Sequence, residues 1–106
     1  MPSIVDVTDQ TFATEVLDSS RPVLIDYWAD WCAPCKQMAP IIDELCQLYP
    51  AVKFCKVDTN ASPALAARQG VMSLPTLQVI VGGEVVESTQ GGKTKSSIID
   101  MLTPYI

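Results

Sequence analysis

Cys32 and Cys35 are separated by only Ala33 and Pro34, in a chain of 106 residues that holds four cysteines and no histidine. Two thiols at that spacing close a small ring on oxidation, which is the chemistry of thiol–disulfide exchange. The pair lies where the apolar run Val23-Leu24-Ile25-Asp26-Tyr27-Trp28-Ala29 has just ended and a helical pattern begins at Pro34. A helix N-terminus offers unpaired N–H groups and the positive end of the helix dipole, and both favour a thiolate. Thiolate is the attacking species in exchange. Cys32, at the turn, reads as the exposed attacker, and Cys35, inside the first helical turn, as the resolving thiol. Pro34 suits an early helical position because the N–H it lacks would have no partner there.

Half of a zinc site is the alternative for the same pair. Without histidine, zinc would need Cys46 and Cys55, or carboxylates, as further ligands. Cys46 lies on the same helical pattern as Cys35, about 16 Å further along the axis, which one tetrahedral ion does not span. No metal is expected. Asp26 is the second candidate, a carboxyl between Ile25 and Tyr27 in an apolar strand. Burial there would raise its pKa and let it exchange protons with Cys35 near neutral pH. A carboxylate satisfied by a loop or by solvent is the plainer alternative.

The elements that must position these groups follow from periodicity. Ile4 to Val7 reads as an edge strand. Thr8 reads as the N-cap of a helix through Phe12, Val16 and Leu17. Val23 to Ala29, apolar on both faces apart from Asp26, is the pattern of a central strand covered on two sides. The next helix buries Met38, Ile41, Ile42, Leu45, Cys46, Leu48 and Tyr49, with Pro40 marking a kink and not a stop. Val52 to Asp58 is a third strand, and Ser62-Pro63 opens a short helix ending at Gly70. Thr76 to Val81 and Glu84 to Ser88 form a hairpin across Gly82-Gly83. Ile98, Ile99, Leu102 and Ile106 mark a last helix whose regular bonding Pro104 ends near Thr103.

That order predicts an α/β fold, a three-layer α/β/α sandwich with a mixed five-stranded sheet and four helices, in one domain over residues 1–106. Alternation puts Leu24, Asp26 and Trp28 on one face of their strand, and Phe54, Lys56 and Asp58 on one face of theirs. Neighbouring strands would bring Asp26 opposite Lys56. Cys55 then points to the other face of the sheet from Cys46, so those two thiols are expected to be structural and unpaired.

Composition narrows the partners. Twelve acidic against seven basic residues give a net charge of −5, which argues against nucleic acid and against anionic membranes. The start Met1-Pro2-Ser3-Ile4-Val5-Asp6 has neither a basic stretch nor an apolar signal core, so the cytoplasm is the expected location.

The segment Tyr27-Trp28-Ala29-Asp30-Trp31-Cys32-Ala33-Pro34-Cys35-Lys36 resembles the active-site segment of the thioredoxin family. Further matches follow in order along the chain: Pro40, Lys56-Val57-Asp58, Gly70, Ser73-Leu74-Pro75-Thr76, Gly82-Gly83-Glu84-Val85 and Gly91. The resemblance implies the thioredoxin fold and a Cys32–Cys35 dithiol that reduces disulfides in target proteins. It implies a cis peptide bond before Pro75, where a trans proline at a strand start is the ordinary alternative. It further implies a buried Asp26 near Cys35, Lys56 as a modulator of Asp26, and a docking surface of Trp31, Ala33, Pro34, Leu74, Pro75 and Gly91. No bound cofactor is implied; electrons would come from NADPH through thioredoxin reductase, and a monomer is expected. Ala33 replaces the family's usual glycine, and Tyr27 its usual phenylalanine, so a buried Tyr27 hydroxyl needs a partner. Gln90 and Thr59 are more polar than the family's usual docking residues, and Met72 reads equally as docking or loop residue.

Two rivals remain at this point. An oxidase or isomerase of the same fold commonly has histidine directly before the second cysteine, where this chain has Pro34. An adaptor that only binds would not need both cysteines, Asp26 and Pro75.

Overall fold

The structure, a computed structural model, describes residues 2–106. Five strands, β1 (Val5–Asp6), β2 (Val23–Trp28), β3 (Lys53–Asp58), β4 (Thr76–Val81) and β5 (Glu84–Gln90), form one sheet in the order β1-β3-β2-β4-β5. β1, β3 and β2 run parallel to one another, and β4 pairs antiparallel with both β2 and β5. Gly82 and Gly83 join the last two strands with φ of 59° and 82°. A two-residue turn with both φ positive matches the twist of the strands it joins, and glycine enters that region without a Cβ clash.

Three α-helices, α1 (Ala33–Leu48), α2 (Pro63–Arg68) and α3 (Lys95–Leu102), and a π-helical turn over Ala13–Leu17 make the four expected helices. A 3₁₀ turn over Thr103–Tyr105 follows α3, where Pro104 ends the α pattern. The sheet has two cores. On one face α1 and α3 press Met38, Ile42, Leu45, Ile98 and Leu102 onto Leu24, Phe54 and Leu77. On the other, Phe12 and Val16 join Leu65 of α2 over Ile25, Tyr27, Cys55 and Val57. Burial of each large aliphatic side chain is worth about 1.5–3 kcal/mol, so both layers hold the central strands. β2 carries the centre, with five of its six residues buried.

Two details of the sequence reading are corrected. The first helix does not start on a Thr8 cap. Thr8 closes a turn, its carbonyl accepting from Phe12 N–H at 3.0 Å, and the helical span begins at Ala13. Its wide turn, with Asp18 N–H bonded to the Ala13 carbonyl, keeps Phe12 and Val16 inside and leaves Leu17 exposed. Leu48 is likewise exposed and not part of the buried stripe of α1. Leu48 stands about 120° round the helix from Ile42, at the margin of the stripe that Met38, Ile42, Leu45 and Cys46 define, so it faces water. Pro40 does not end α1. It removes one helical bond on the solvent side, where Lys36 and Pro40 are both exposed and water can serve the freed carbonyl.

Candidate active site

β2 delivers the chain to the site and α1 leaves from it. Cys32 is the residue capping α1, and its Sγ accepts a hydrogen bond from the Cys35 N–H at 3.3 Å. A sulfur therefore stands where a serine or aspartate oxygen would ordinarily cap a helix. Any negative charge on it would be held by that N–H and by the dipole of the sixteen-residue helix behind. Ala33 and Pro34 form the first two helical positions and are exposed. Cys32 and Cys35 are joined by a disulfide, with Cα atoms 5.3 Å apart. The sequence reading made Cys32 the exposed member of the pair; in this oxidised form the residue is 4% exposed and Cys35 3%. Bonded to Cys35 and turned to the helix end, Cys32 lies in a small cluster with Ala29, flanked by Trp28 and Leu74.

Asp26 pairs in register with Lys56 across β2 and β3, as alternation requires. Its side chain is buried, and among the described residues its Oδ1 has no hydrogen-bond partner. Burial pushes its pKa from 3.8 up to about 7, against the smaller opposing pull of the Lys56 ammonium. Asp26, Cys35 and Lys56 line one pocket of about 250 Å³, together with Trp28, Asp30 and Lys36. That volume holds several waters, and within a mostly apolar lining the side chains of Asp26, Asp30, Lys36 and Lys56 give them partners. Lys56 makes no ion pair with Asp26. Its Nζ lies 3.7 Å from Asp6 Oδ1 in a largely exposed pair of little energetic weight.

Of the residues that the resemblance names for docking, Leu74 packs against the Cys32–Cys35 pair, and Ala33 and Pro34 lie between the two cysteines. The Leu74–Pro75 peptide bond is cis. Pro75 is buried, and its carbonyl accepts from Gly91 N–H at 2.8 Å, which ties the end of β5 to the loop before β4. Gly91 holds φ of 85°, a conformation that costs a residue with a side chain strain. Trp31 is 69% exposed and shares a shallow cleft with Leu74, Thr59 and Met72. Met72, undecided in the sequence, lines the same cleft and is 87% exposed. The polarity of Thr59 is turned inward: its hydroxyl donates to the Trp28 carbonyl at 3.0 Å. Gln90 accepts from Ser73 Oγ at 3.1 Å, so it too is engaged within the rim.

Sequence reasoning missed Gln78. The Tyr27 hydroxyl donates to Gln78 Oε1 at 2.9 Å, which answers the need for a partner. A glutamine within the otherwise apolar run of β4 was the available signal. Cys46 and Cys55 are free, buried and in opposite cores, as read from alternation.

Comparison with known proteins agrees with this arrangement. The family model described as Thioredoxin matches residues 3–104. Thioredoxin 1 of Nostoc sp. is 41% identical, with all of both chains covered. Thioredoxin of Streptomyces clavuligerus is 45% identical over 89% of this chain and 88% of its own. A chloroplastic M-type thioredoxin of Chlamydomonas reinhardtii is 41% identical over 94% of this chain and 72% of its own. With a Cys-x-x-Cys disulfide at the start of a helix on a mixed five-stranded sheet, the chain belongs to the thioredoxin family of thiol–disulfide oxidoreductases.

Proposed function

We propose that residues 1–106 act as one domain that reduces protein disulfides in two steps, with Cys32 as nucleophile, Cys35 as resolving thiol and Asp26 as acid–base group. In the first step the Cys32 thiolate attacks one sulfur of a target disulfide. A mixed disulfide forms, and the displaced target thiolate takes a proton from solvent. In the second, Cys35 gives its proton to the Asp26 carboxylate and attacks Cys32 Sγ. The Cys32–Cys35 disulfide closes, the second target thiolate leaves, and two electrons have passed to the target. An Asp26 that titrates at about 7 is half ionised at neutral pH, so it can both take and return the proton. Lys56 tunes that value through its charge on the shared pocket. Trp31, Ala33, Pro34, Leu74, Pro75 and Gly91 form the surface against which the target segment lies.

The observation that carries this reading is the Cys32 sulfur capping α1 while Asp26 and Cys35 face one pocket. We place the protein in the cytoplasm as a monomer without a bound cofactor, re-reduced by a flavin-containing thioredoxin reductase that draws on NADPH. The test is insulin reduction by the wild-type chain in the presence of NADPH and a bacterial thioredoxin reductase. Turnover that depends on both is the expected result. Turnover with dithiothreitol but not with the reductase would refute the reductase assignment, and no turnover with either would refute the activity.

A further inference from the structure

We propose that Gln78 is a positioning residue: its buried amide fastens the loop that presents Leu74 and Pro75, and so sets the affinity for protein disulfides. The proposal rests on the reductase reading above. Gln78 is 3% exposed on the sheet face it shares with Ile25, Tyr27 and Ile80. An unpaired amide among such neighbours would be costly, so its partners decide why it is there. Oε1 accepts from the Tyr27 hydroxyl at 2.9 Å, and Nε2 donates to the Gln69 carbonyl at 2.9 Å, with a longer contact of 3.4 Å to Ser88 Oγ.

Gln69 is the residue that ends α2, and its carbonyl is one of those a helix C-terminus leaves without a helical partner. The chain reverses at Gly70, with φ of 74°, and runs through Met72, Ser73 and Leu74 to Pro75 before β4 starts. The Gln69–Gln78 bond therefore closes the ten-residue span from Gln69 to Gln78, which holds the proposed docking residues Leu74 and Pro75. The far end of the span is fixed to β4 and β5 by Thr76 Oγ1 on the Ser73 carbonyl at 2.6 Å and Gly91 N–H on the Pro75 carbonyl. At the near end, the backbone bonds of Gly70 and Val71 reach back only into α2 itself. Gln78 supplies the side-chain hydrogen bond that ties that end to the sheet, where Val71 adds apolar packing, and Tyr27 orients the amide so that its nitrogen meets Gln69.

Tyr27→Phe/Gln78→Met removes the tie and its orienting hydroxyl together, leaving no orphan phenol. The expected result is a KM for insulin raised about fivefold, the population ratio that one net hydrogen bond is worth. Turnover number and the rate with a small aromatic disulfide, which needs no extended docking surface, stay at wild-type values. Hydrogen exchange of the amides from Gly70 to Leu74 accelerates by a similar factor. Tyr27→Phe alone leaves Nε2 its Gln69 acceptor but removes the bond that orients the amide, so its KM rises less than that of the double variant. Should the double variant not fold, Gln78→Asn, one methylene short of its partners, carries the same test. An unmoved KM with faster exchange, or equal losses on insulin and on the small disulfide, would overturn the proposal alone. A wild-type chain inactive on both substrates would refute the reductase reading, and this role with it.

Discussion

Replacing Asp26 by Asn separates the buried-acid account from a merely structural carboxyl. In the unfolded chain the group titrates near 3.8, and in the folded protein burial moves it to about 7. Between those values the folded state holds a proton that the unfolded state has lost. Folding stability is therefore full below about pH 4, falls as pH rises through that window, and levels off above it. The interval corresponds to about 4 kcal/mol at 1.36 kcal/mol per pH unit, taken as an upper figure for a carboxyl with water within reach. Asparagine carries no charge to bury, but its amide inherits a site with an unpartnered oxygen, at a cost of about 1–3 kcal/mol. Asp26→Asn should thus be more stable than wild type by about 1–3 kcal/mol at pH 8.5 and no more stable at pH 4. Urea unfolding at the two pH values measures this directly. The same change should slow release of the reduced target about hundredfold at pH 7, the low end of what a general base contributes. Lower stability than wild type at pH 8.5, with an unchanged release rate, would refute the argument.

Further outcomes follow from individual residues. Lys56→Met removes the charge that pulls Asp26 down, so the rising limb of the rate–pH profile for target release should move to higher pH; an unmoved profile would exclude Lys56 as a modulator. Ala33 is the first residue of α1 and has a negative φ, so Ala33→Gly should cost about 1 kcal/mol in urea unfolding through added freedom of the unfolded chain, and any gain would contradict that geometry. Burial pushes the Cys55 thiol up to about 11 and the Cys46 thiol upward, so both should resist alkylation in the native oxidised protein. Two free thiols should then appear on denaturation, and a Cys46–Cys55 link in a peptide map would contradict their placement in opposite cores.

Much of the site was legible because it rests on short-range rules. The Cys32–Cys35 spacing at a strand-to-helix junction needs only the periods of strand and helix, and the pairing of Asp26 with Lys56 needs in addition that their strands be neighbours, which β2 and β3 are. The opposite facing of Cys46 and Cys55 follows once the face with Asp26 and Lys56 is the one that α1 covers. What escaped depends on where elements end and on contacts between distant residues. Leu17 and Leu48 look buried by type and approximate period, yet a π turn exposes one and the margin of the α1 stripe exposes the other. The Tyr27–Gln78 bond joins residues 51 apart, and only the register of β2 on β4 brings them within reach. Thr59 looked polar as a residue type, but its hydroxyl is spent on the Trp28 carbonyl. Cys32 at a helix start read as exposed, whereas the oxidised pair is covered beside Leu74, a residue from a loop far along the chain.

The division of labour between the two cysteines is the central claim, and covalent trapping tests it most directly. Cys35→Ser leaves the Cys32 sulfur at the N-terminus of α1 but removes the thiol that would resolve the mixed disulfide. Incubated in its reduced form with a disulfide-bonded protein, this variant should accumulate a one-to-one covalent adduct that dithiothreitol dissolves. Peptide mapping should place the link at Cys32, while Cys32→Ser under the same conditions should yield no adduct. An adduct formed through Cys35, or normal turnover by Cys35→Ser, would contradict the account.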